Sequence, residues 1–177
     1  MELKNLNLSQ EHTSKDTSVN VVNRVYRHYD FNPNSIILDY GGGKYDSNKE
    51  YMWNLNHSLV CIVDKYNRSS EHNLQVLEYL AENTPKYVVC SNVLNVIKED
   101  EVVSTLLDDI SKNFKQAIFL FAVYSGNKSG IGAETSKGYQ RNLKTKYYIE
   151  YLVPYFDDII IKRDIIICRS KWRDGAK

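Results

Sequence analysis

Four groups of residues have types and spacings suited to chemistry. The first is Ser35-Ile36-Ile37-Leu38-Asp39-Tyr40-Gly41-Gly42-Gly43, an apolar run closed by an acid and three consecutive glycines. Such a run reads as a strand buried on both faces, and glycines directly after it let the backbone turn tightly and approach a ligand closely. A nucleotide or nucleoside cofactor is held in this way; the same glycines also serve an ordinary strand-to-helix turn. The second group is Asp64, which closes the apolar run Leu59-Val60-Cys61-Ile62-Val63. Two carboxylates at neighbouring strand ends can face one crevice. Asp64 is then placed to accept hydrogen bonds from ribose hydroxyls, and Asp39 to order the glycine turn or meet a cation; the alternative is two ordinary turn aspartates. The third is Ser91-Asn92-Val93-Leu94-Asn95, which follows another apolar run. Asn92 and Asn95 either orient an acceptor by hydrogen bonds or satisfy the backbone after a strand. The fourth is Thr135-Ser136-Lys137-Gly138-Tyr139-Gln140-Arg141-Asn142. Lys137 and Arg141 suit a phosphate or carboxylate, Gln140 or Asn142 a polar edge, and Tyr139 stacking, unless the segment is a solvated loop whose glycines merely permit turns.

The elements that must position these groups alternate along the chain. Helical spacing of Val21, Val22, Val25, Tyr26 and Tyr29 predicts a helix over 18–29, ended by Asn32-Pro33-Asn34 before the first strand. Asp46 or Ser47 caps the next helix, which carries Tyr51, Met52 and Leu55 and leads to the strand at 59–63. A capping serine in Asn67-Arg68-Ser69-Ser70 opens a helix that stops near Pro85, and a strand follows at 87–90. An amphipathic helix over 100–114 precedes the most apolar strand, 117–124. The connection 125–142 is long for a compact domain, which points to function. A helix over 144–156, limited by Pro154, and a tight antiparallel hairpin of 158–162 with 164–169 complete the pattern. Alternating strands and helices predict an α/β domain with a mostly parallel sheet, right-handed crossovers and a ligand beyond the carboxyl ends of the strands. Residues 17–170 form one domain in this reading. Residues 1–16 are an arm that is either frayed or ordered over a ligand, and 171–177 a polar tail.

Composition excludes several classes of function. With 23 basic and 22 acidic residues, the chain lacks the basic excess that attracts nucleic acid through charge alone. Its apolar runs fall far short of the roughly 20 residues of a membrane span, and no signal peptide is visible, so a cytoplasmic location is expected. Cys61, Cys90 and Cys168 lie singly in apolar runs with no histidine at ligand spacing, which reads as buried thiols and no metal. No histidine stands near a serine or cysteine in a nucleophile setting.

Asp39-Tyr40-Gly41-Gly42-Gly43 and Val63-Asp64 resemble the first two motifs of class I S-adenosylmethionine-dependent methyltransferases, and Ser91 to Ile97 resembles the segment that borders cofactor and acceptor in small members. Tyr45 stands where the family carries a third spaced glycine. More narrowly, Gly43-Lys44-Tyr45-Asp46, Asp64-Lys65-Tyr66-Asn67-Arg68-Ser69, Ser91 to Ile97 and Gly130 to Asn142 resemble methyltransferase-like proteins associated with phages and DNA-modification loci, with Lys65 in place of their usual proline. The resemblance implies a three-layer Rossmann-like fold and an S-adenosylmethionine site. Asp39, Gly41, Gly42, Gly43, Tyr45, Asp64, Lys65, Tyr66, Ser91 and Asn92 would hold the cofactor, and Asn92 and Asn95 would act in catalysis. Lys137, Tyr139, Gln140, Arg141 and Asn142 would bind a nucleotide-like or nucleic-acid-related acceptor, in the host cytoplasm for a phage protein.

One departure from the family concerns the acceptor. Ser91-Asn92-Val93-Leu94 lacks the two prolines and aromatic of nucleic-acid amino methyltransferases, and no general base is evident. The alternatives are therefore a protein that binds the cofactor without transferring methyl, as a regulator or anti-defence protein, and an enzyme that cleaves the cofactor. Only one helix separates Asp64 from Tyr87, where the family has a further strand. The expected sheet order in family numbering is therefore 2-1-4-5-7-6, with the last hairpin antiparallel. The exposed edge that this leaves favours a homodimer.

Overall fold

The computed structural model describes Thr13, Lys15 and residues 17–174. The expected arm at 1–16 therefore lies outside the described residues apart from Thr13 and Lys15, as do residues 175–177 of the expected tail. The chain runs α1 (Arg24–His28), β1 (Ile36–Tyr40), α2 (Ser47–Asn56), β2 (Leu59–Val63), α3 (Ser70–Glu82), β3 (Tyr87–Ser91), α4 (Asp100–Asn113) and β4 (Ile118–Ala122). It continues through β5 (Ala133–Thr135), β6 (Gly138–Gln140), α5 (Ile149–Leu152), β7 (Phe156–Lys162) and β8 (Ile165–Ser170), with 3-10 turns at Leu94–Val96 and Thr145–Tyr148.

Six strands form one sheet in the order β2-β1-β3-β4-β8-β7. The first four are parallel, and β8 runs antiparallel to both β4 and β7. This is the expected order with the family's third strand missing. Alternate residues of the central strands feed two apolar layers. Leu38, Val88 and Phe119 pack with Leu80, Val103, Leu107 and Leu152, from α3, α4 and α5, on one face. On the other, Ile37, Val89 and Leu120 pack with Val25 and Tyr26 of α1 and Met52 of α2. Strands buried on both faces have no polar alternation, which is why they read as continuous apolar runs.

Several elements differ from the sequence expectation. The helix expected over 18–29 is only five residues long, because Asn23 caps it through its side chain to the Val25 amide. Val21 and Val22 lie before that cap. The helix expected over 144–156 is a 3-10 turn followed by one short α-helix. The long connection contains a two-stranded hairpin, β5–β6, that no hydrophobic pattern announced, since β5 is exposed throughout. The first part of the expected tail is tied down: Lys171 N donates to Tyr155 O, and Arg173 pairs with Asp157 and Asp158.

The edge left by the missing strand is not open along its carboxyl end. Residues 60, 62 and 64 turn their backbone groups away from β1, and two side chains of α3 meet two of them. His72 Nε2 lies 3.0 Å from Ile62 O. Asn73 brackets the backbone of Asp64, with Oδ1 accepting from Asp64 N at 3.0 Å and Nδ2 donating to Asp64 O at 2.9 Å. Asn73 is buried, so its loss leaves Asp64 N without a partner and Asp64 O with only the Arg68 amide, at 3.2 Å. Asn73→Ala should lower the free energy of unfolding by about 1 to 3 kcal/mol, whereas Asn83→Ala, which removes one exposed bond to Tyr79 O, should stay under about 1 kcal/mol. Urea denaturation with an unchanged slope checks this, and equal losses in the two variants would refute the edge role of Asn73.

Candidate functional site

A cavity of about 380 Å³ opens at the carboxyl ends of β1, β2 and β3. Its floor is the glycine turn. Gly41 N donates to Val63 O at 2.7 Å, which joins the turn to β2. Gly41 has φ +75°, and a Cβ there would lie 2.4 Å from Val93 Cγ2, so both backbone and packing demand glycine. Gly42 is demanded by packing alone, since its Cβ would lie 2.7 Å from Asp39 Cγ.

Asp64 holds this turn in place. Its Oδ2 accepts from Gly43 N at 2.9 Å, while Oδ1 accepts from Tyr66 N at 2.9 Å, Asn67 N at 2.8 Å and Asn67 Nδ2 at 3.1 Å. A carboxylate oxygen has about two lone pairs, so one acceptor position is left on Oδ2. Arg68 braces the same turn, with Nε on Gly43 O at 2.9 Å and Nη2 on Asp46 Oδ1 at 2.7 Å.

Asp39 sits beneath the cavity and is not part of its wall. It is buried, and its Oδ2 accepts from Asn48 Nδ2 at 2.9 Å. Asn48 Oδ1 in turn accepts from Asn23 N, and Asn23 Nδ2 donates to Ser91 Oγ, both at 2.8 Å. This chain of polar groups ties the segment before α1 to the ends of β1 and β3. Burial raises the Asp39 carboxyl to about 6, although the Asn48 bond favours its ionised form.

Of the residues expected to hold a cofactor, Gly41, Gly42, Gly43, Tyr45, Asp64, Lys65, Tyr66, Ser91 and Asn92 all line the cavity. Asn92 has a left-handed backbone (φ +60°), which asparagine tolerates, and its amide donates to Ala122 O. Asn95 is brought to a different place. It is buried outside the wall, where Nδ2 donates to Gln140 Oε1 and its carbonyl accepts from Arg141 N.

None of Lys137, Tyr139, Gln140, Arg141 and Asn142, the residues expected on the acceptor side, lines this cavity. Arg141 is turned inward: Nε donates to Ile97 O, Nη1 to Asp100 Oδ1 and Tyr151 Oη, and Nη2 to Lys98 O. Gln140 Nε2 donates to Tyr124 O, and Asn142 Nδ2 to Ile131 O. Tyr139 has Lys98 over its ring, and Lys137 is exposed. The side chains of Gln140, Arg141 and Asn142 thus tie the long connection to the rest of the domain.

The remaining wall comes from residues the sequence assigned no part in a site. Thr17, Ser18, Val19, Val21, Val22 and Asn23, with Arg24 and Arg27 of α1, close one side, and Val102, Thr105, Leu106 and Asp109 of α4 the other. Ser18 Oγ accepts from Lys44 N at 3.3 Å, and a Cβ at Gly43 would lie 2.7 Å from it. The spacing of Val21 and Val22 points to helix packing, so only the fold reveals this stretch as a wall. Among the described residues no group of histidines, cysteines and carboxylates could hold a metal ion, and no helix is long and apolar enough to cross a membrane.

No family model and no curated protein matches the chain. Among solved structures its fold is similar to that of human N-acetylserotonin methyltransferase in complex with S-adenosylmethionine, at 15% identity and a TM-score of 0.58, covering 82% of this chain and 50% of that one. It is also similar to an O-methyltransferase family 2 protein from Planctomyces limnophilus in complex with apigenin (12% identity, TM-score 0.52, 83% of this chain and 55% of that one). The pyocyanin biosynthetic protein PhzM gives 13% identity and a TM-score of 0.51 over 83% of this chain and 53% of its own. The chain spans about half the length of these structures, and what it shares with them is the fold.

The Asp39 carboxyl has a consequence for stability. Because its value is raised above the usual 3.8, its contribution is fully present below that value and is lost as pH rises through about 6. Thermal unfolding of the wild type and Asp39→Asn between pH 4 and 7.5 should therefore shift in favour of the variant as pH rises. A separation of roughly two pH units corresponds to about 3 kcal/mol. A gap independent of pH would contradict the burial account of Asp39.

Proposed function

We propose that the cavity binds S-adenosylmethionine and that the protein transfers its methyl group to an acceptor, which the resemblance to phage and DNA-modification proteins makes nucleotide-like or nucleic-acid-related. The observation that carries this reading is the convergence of the glycine turn, Asp64 and Ser91-Asn92 on one cavity at the carboxyl ends of β1, β2 and β3. The fold shared with methyltransferases of known structure supports it.

The residues present fit the group. The unfilled acceptor position on Asp64 Oδ2 suits one ribose hydroxyl, rather than the pair a free carboxylate would take. Val93, Val96, Val102 and Leu106 give an apolar slot for a planar base, and the glycine turn lets backbone approach the remainder. When bound, the sulfonium supplies an electrophilic methyl. The protein's share of the work is to orient the acceptor and exclude water, and Asn92, exposed in the wall beside Ser91, offers both a donor and an acceptor for that purpose.

Among the described residues, the carboxylates lining the cavity are Asp64, engaged in the turn, and Asp109, and no histidine lines it. This favours an acceptor atom that carries its lone pair without prior deprotonation. The same observation favours, as a second reading, a protein that binds the cofactor without transferring methyl.

Calorimetry with S-adenosylmethionine and S-adenosylhomocysteine tests the cofactor. Gly41→Ala, which places a methyl against Val93, should abolish binding, and a wild type that binds neither nucleoside refutes the proposal. Mass analysis of nucleotide and oligonucleotide acceptors incubated with S-adenosylmethionine tests transfer. Asn92→Ala should slow transfer by about tenfold to a hundredfold with cofactor affinity within about threefold, in keeping with loss of one orienting hydrogen bond. Binding without any product would support the second reading.

A further inference from the structure

The described part of the cavity wall carries its charges unevenly. Asp64 stands beside Lys65 at the end of β2 and Asp109 on α4, whereas the α1 side presents the two guanidiniums of Arg24 and Arg27. Arg24 Nη2 donates to Val123 O at 3.2 Å, just past β4, and to Asp164 O at 3.0 Å, in the β7–β8 turn. These bonds fix α1 over the end of β4, on the side of β3 away from the glycine turn. Arg27 follows three residues later, so it shares a helix face with Arg24. It is exposed and lines the cavity, and its side chain forms no ion pair or hydrogen bond with another described residue. Arg163, whose Nη1 donates to His28 O, adds a third guanidinium beside this end of α1.

Such an arrangement favours a negative ligand. Cations gathered at a cavity wall without a carboxylate partner repel one another, and an anion relieves that repulsion. A guanidinium presents a planar fork that suits phosphate or carboxylate oxygens in two parallel hydrogen bonds. A cation in the last turn of a helix also complements the partial negative charge there. That account covers Arg27 but not Arg24, which opens α1 and reaches to β4.

Resting on the reading of the cavity as an S-adenosylmethionine site, we infer that its α1 side receives an acceptor carrying a phosphate or carboxylate, gripped by Arg27 while Arg24 holds α1 in place. An anionic acceptor is then drawn to the α1 side, where two guanidiniums stand together, rather than to the end of β2, where the charge of Lys65 is offset by Asp64. The role that the sequence suggested for Lys137 and Arg141 passes to a helix that had been read only as packing.

The test is calorimetric titration of inorganic pyrophosphate into the full chain saturated with S-adenosylhomocysteine, using the wild type and Arg27→Gln. Pyrophosphate should bind the wild-type complex, and Arg27→Gln should weaken that binding by about tenfold to a hundredfold, as expected for one charged hydrogen-bonding pair, while S-adenosylhomocysteine affinity changes less than about threefold. Absence of pyrophosphate binding, or equal binding by both proteins, overturns the inference. So does an Arg27→Gln variant that loses S-adenosylhomocysteine but keeps 5′-methylthioadenosine, because Arg27 would then hold the carboxylate of the cofactor. A wild type that fails to bind S-adenosylhomocysteine removes the cofactor reading itself, which is a distinguishable result.

Discussion

The carboxylate of Asp64 is the tie on which the mouth of the cavity depends. It is buried, and such a group is tolerated in ionised form only when donors surround it. Here the donors are the amides of Gly43, Tyr66 and Asn67 and the side chain of Asn67. One group therefore fixes the glycine turn after β1, the turn after β2 and the entry to α3. Asn73 reaches back from α3 to the backbone of the same residue, and Arg68 closes the loop by bonding Gly43 O. Replacing Asp64 would dissolve all of these turns together. Lost affinity in such a variant would report collapse of the turn as much as loss of a ribose contact.

The same tie explains how the sheet manages without a third strand. An edge strand exposes backbone groups that pair readily with another chain. The carboxyl end of β2 meets side chains of α3 instead, which removes part of the reason to expect a homodimer through that edge. The opposite edge is interrupted as well. The pairing of β7 shifts register between Asp157 and Ile160, Asp158 has φ +52°, and Arg173 bridges both aspartates. A bulge with charges at its centre blunts an edge that otherwise presents Ile160 and Ile161 to solvent.

What could be read from the sequence was whatever local pattern encodes. Apolar runs bounded by turn residues gave the strands of the main sheet, and the single helix between Asp64 and Tyr87 gave the missing strand and hence the sheet order. The Gly41 to Gly43 turn and Asp64 were legible for the same reason, as each ends such a run. The polar partners were not. Arg141 has the composition of a ligand-binding cation, yet Ile97 O, Asp100 and Tyr151 draw it inward, two of them more than forty residues away. Asn48 lies in an ordinary helix and still connects Asp39 to Asn23, twenty-five residues earlier. Residue type tells what a polar side chain can bond, and only the fold tells which partner reaches it first.

The two sides of the cavity differ in how firmly they are built. The glycine side is held by a buried carboxylate, an arginine and the sheet itself, all of which must fail together. The opposite wall, from Thr17 to Asn23, has no regular structure beyond Thr17. Its polar ties to the core are Asn23 to Ser91, Asn23 to Asn48 and Ser18 to Lys44. Three such bonds contribute about 3 kcal/mol in all at roughly 1 kcal/mol each. That corresponds to roughly a hundredfold in population and is well below the 5 to 15 kcal/mol or so that typically separates a folded domain from its unfolded state. Even with Val22 packed against the core, the wall before α1 is held more lightly than the glycine turn. The arginines lie beyond that stretch, on α1, which Arg24 fastens to Val123 O and Asp164 O, so the anion-facing side of the cavity keeps its place with the sheet.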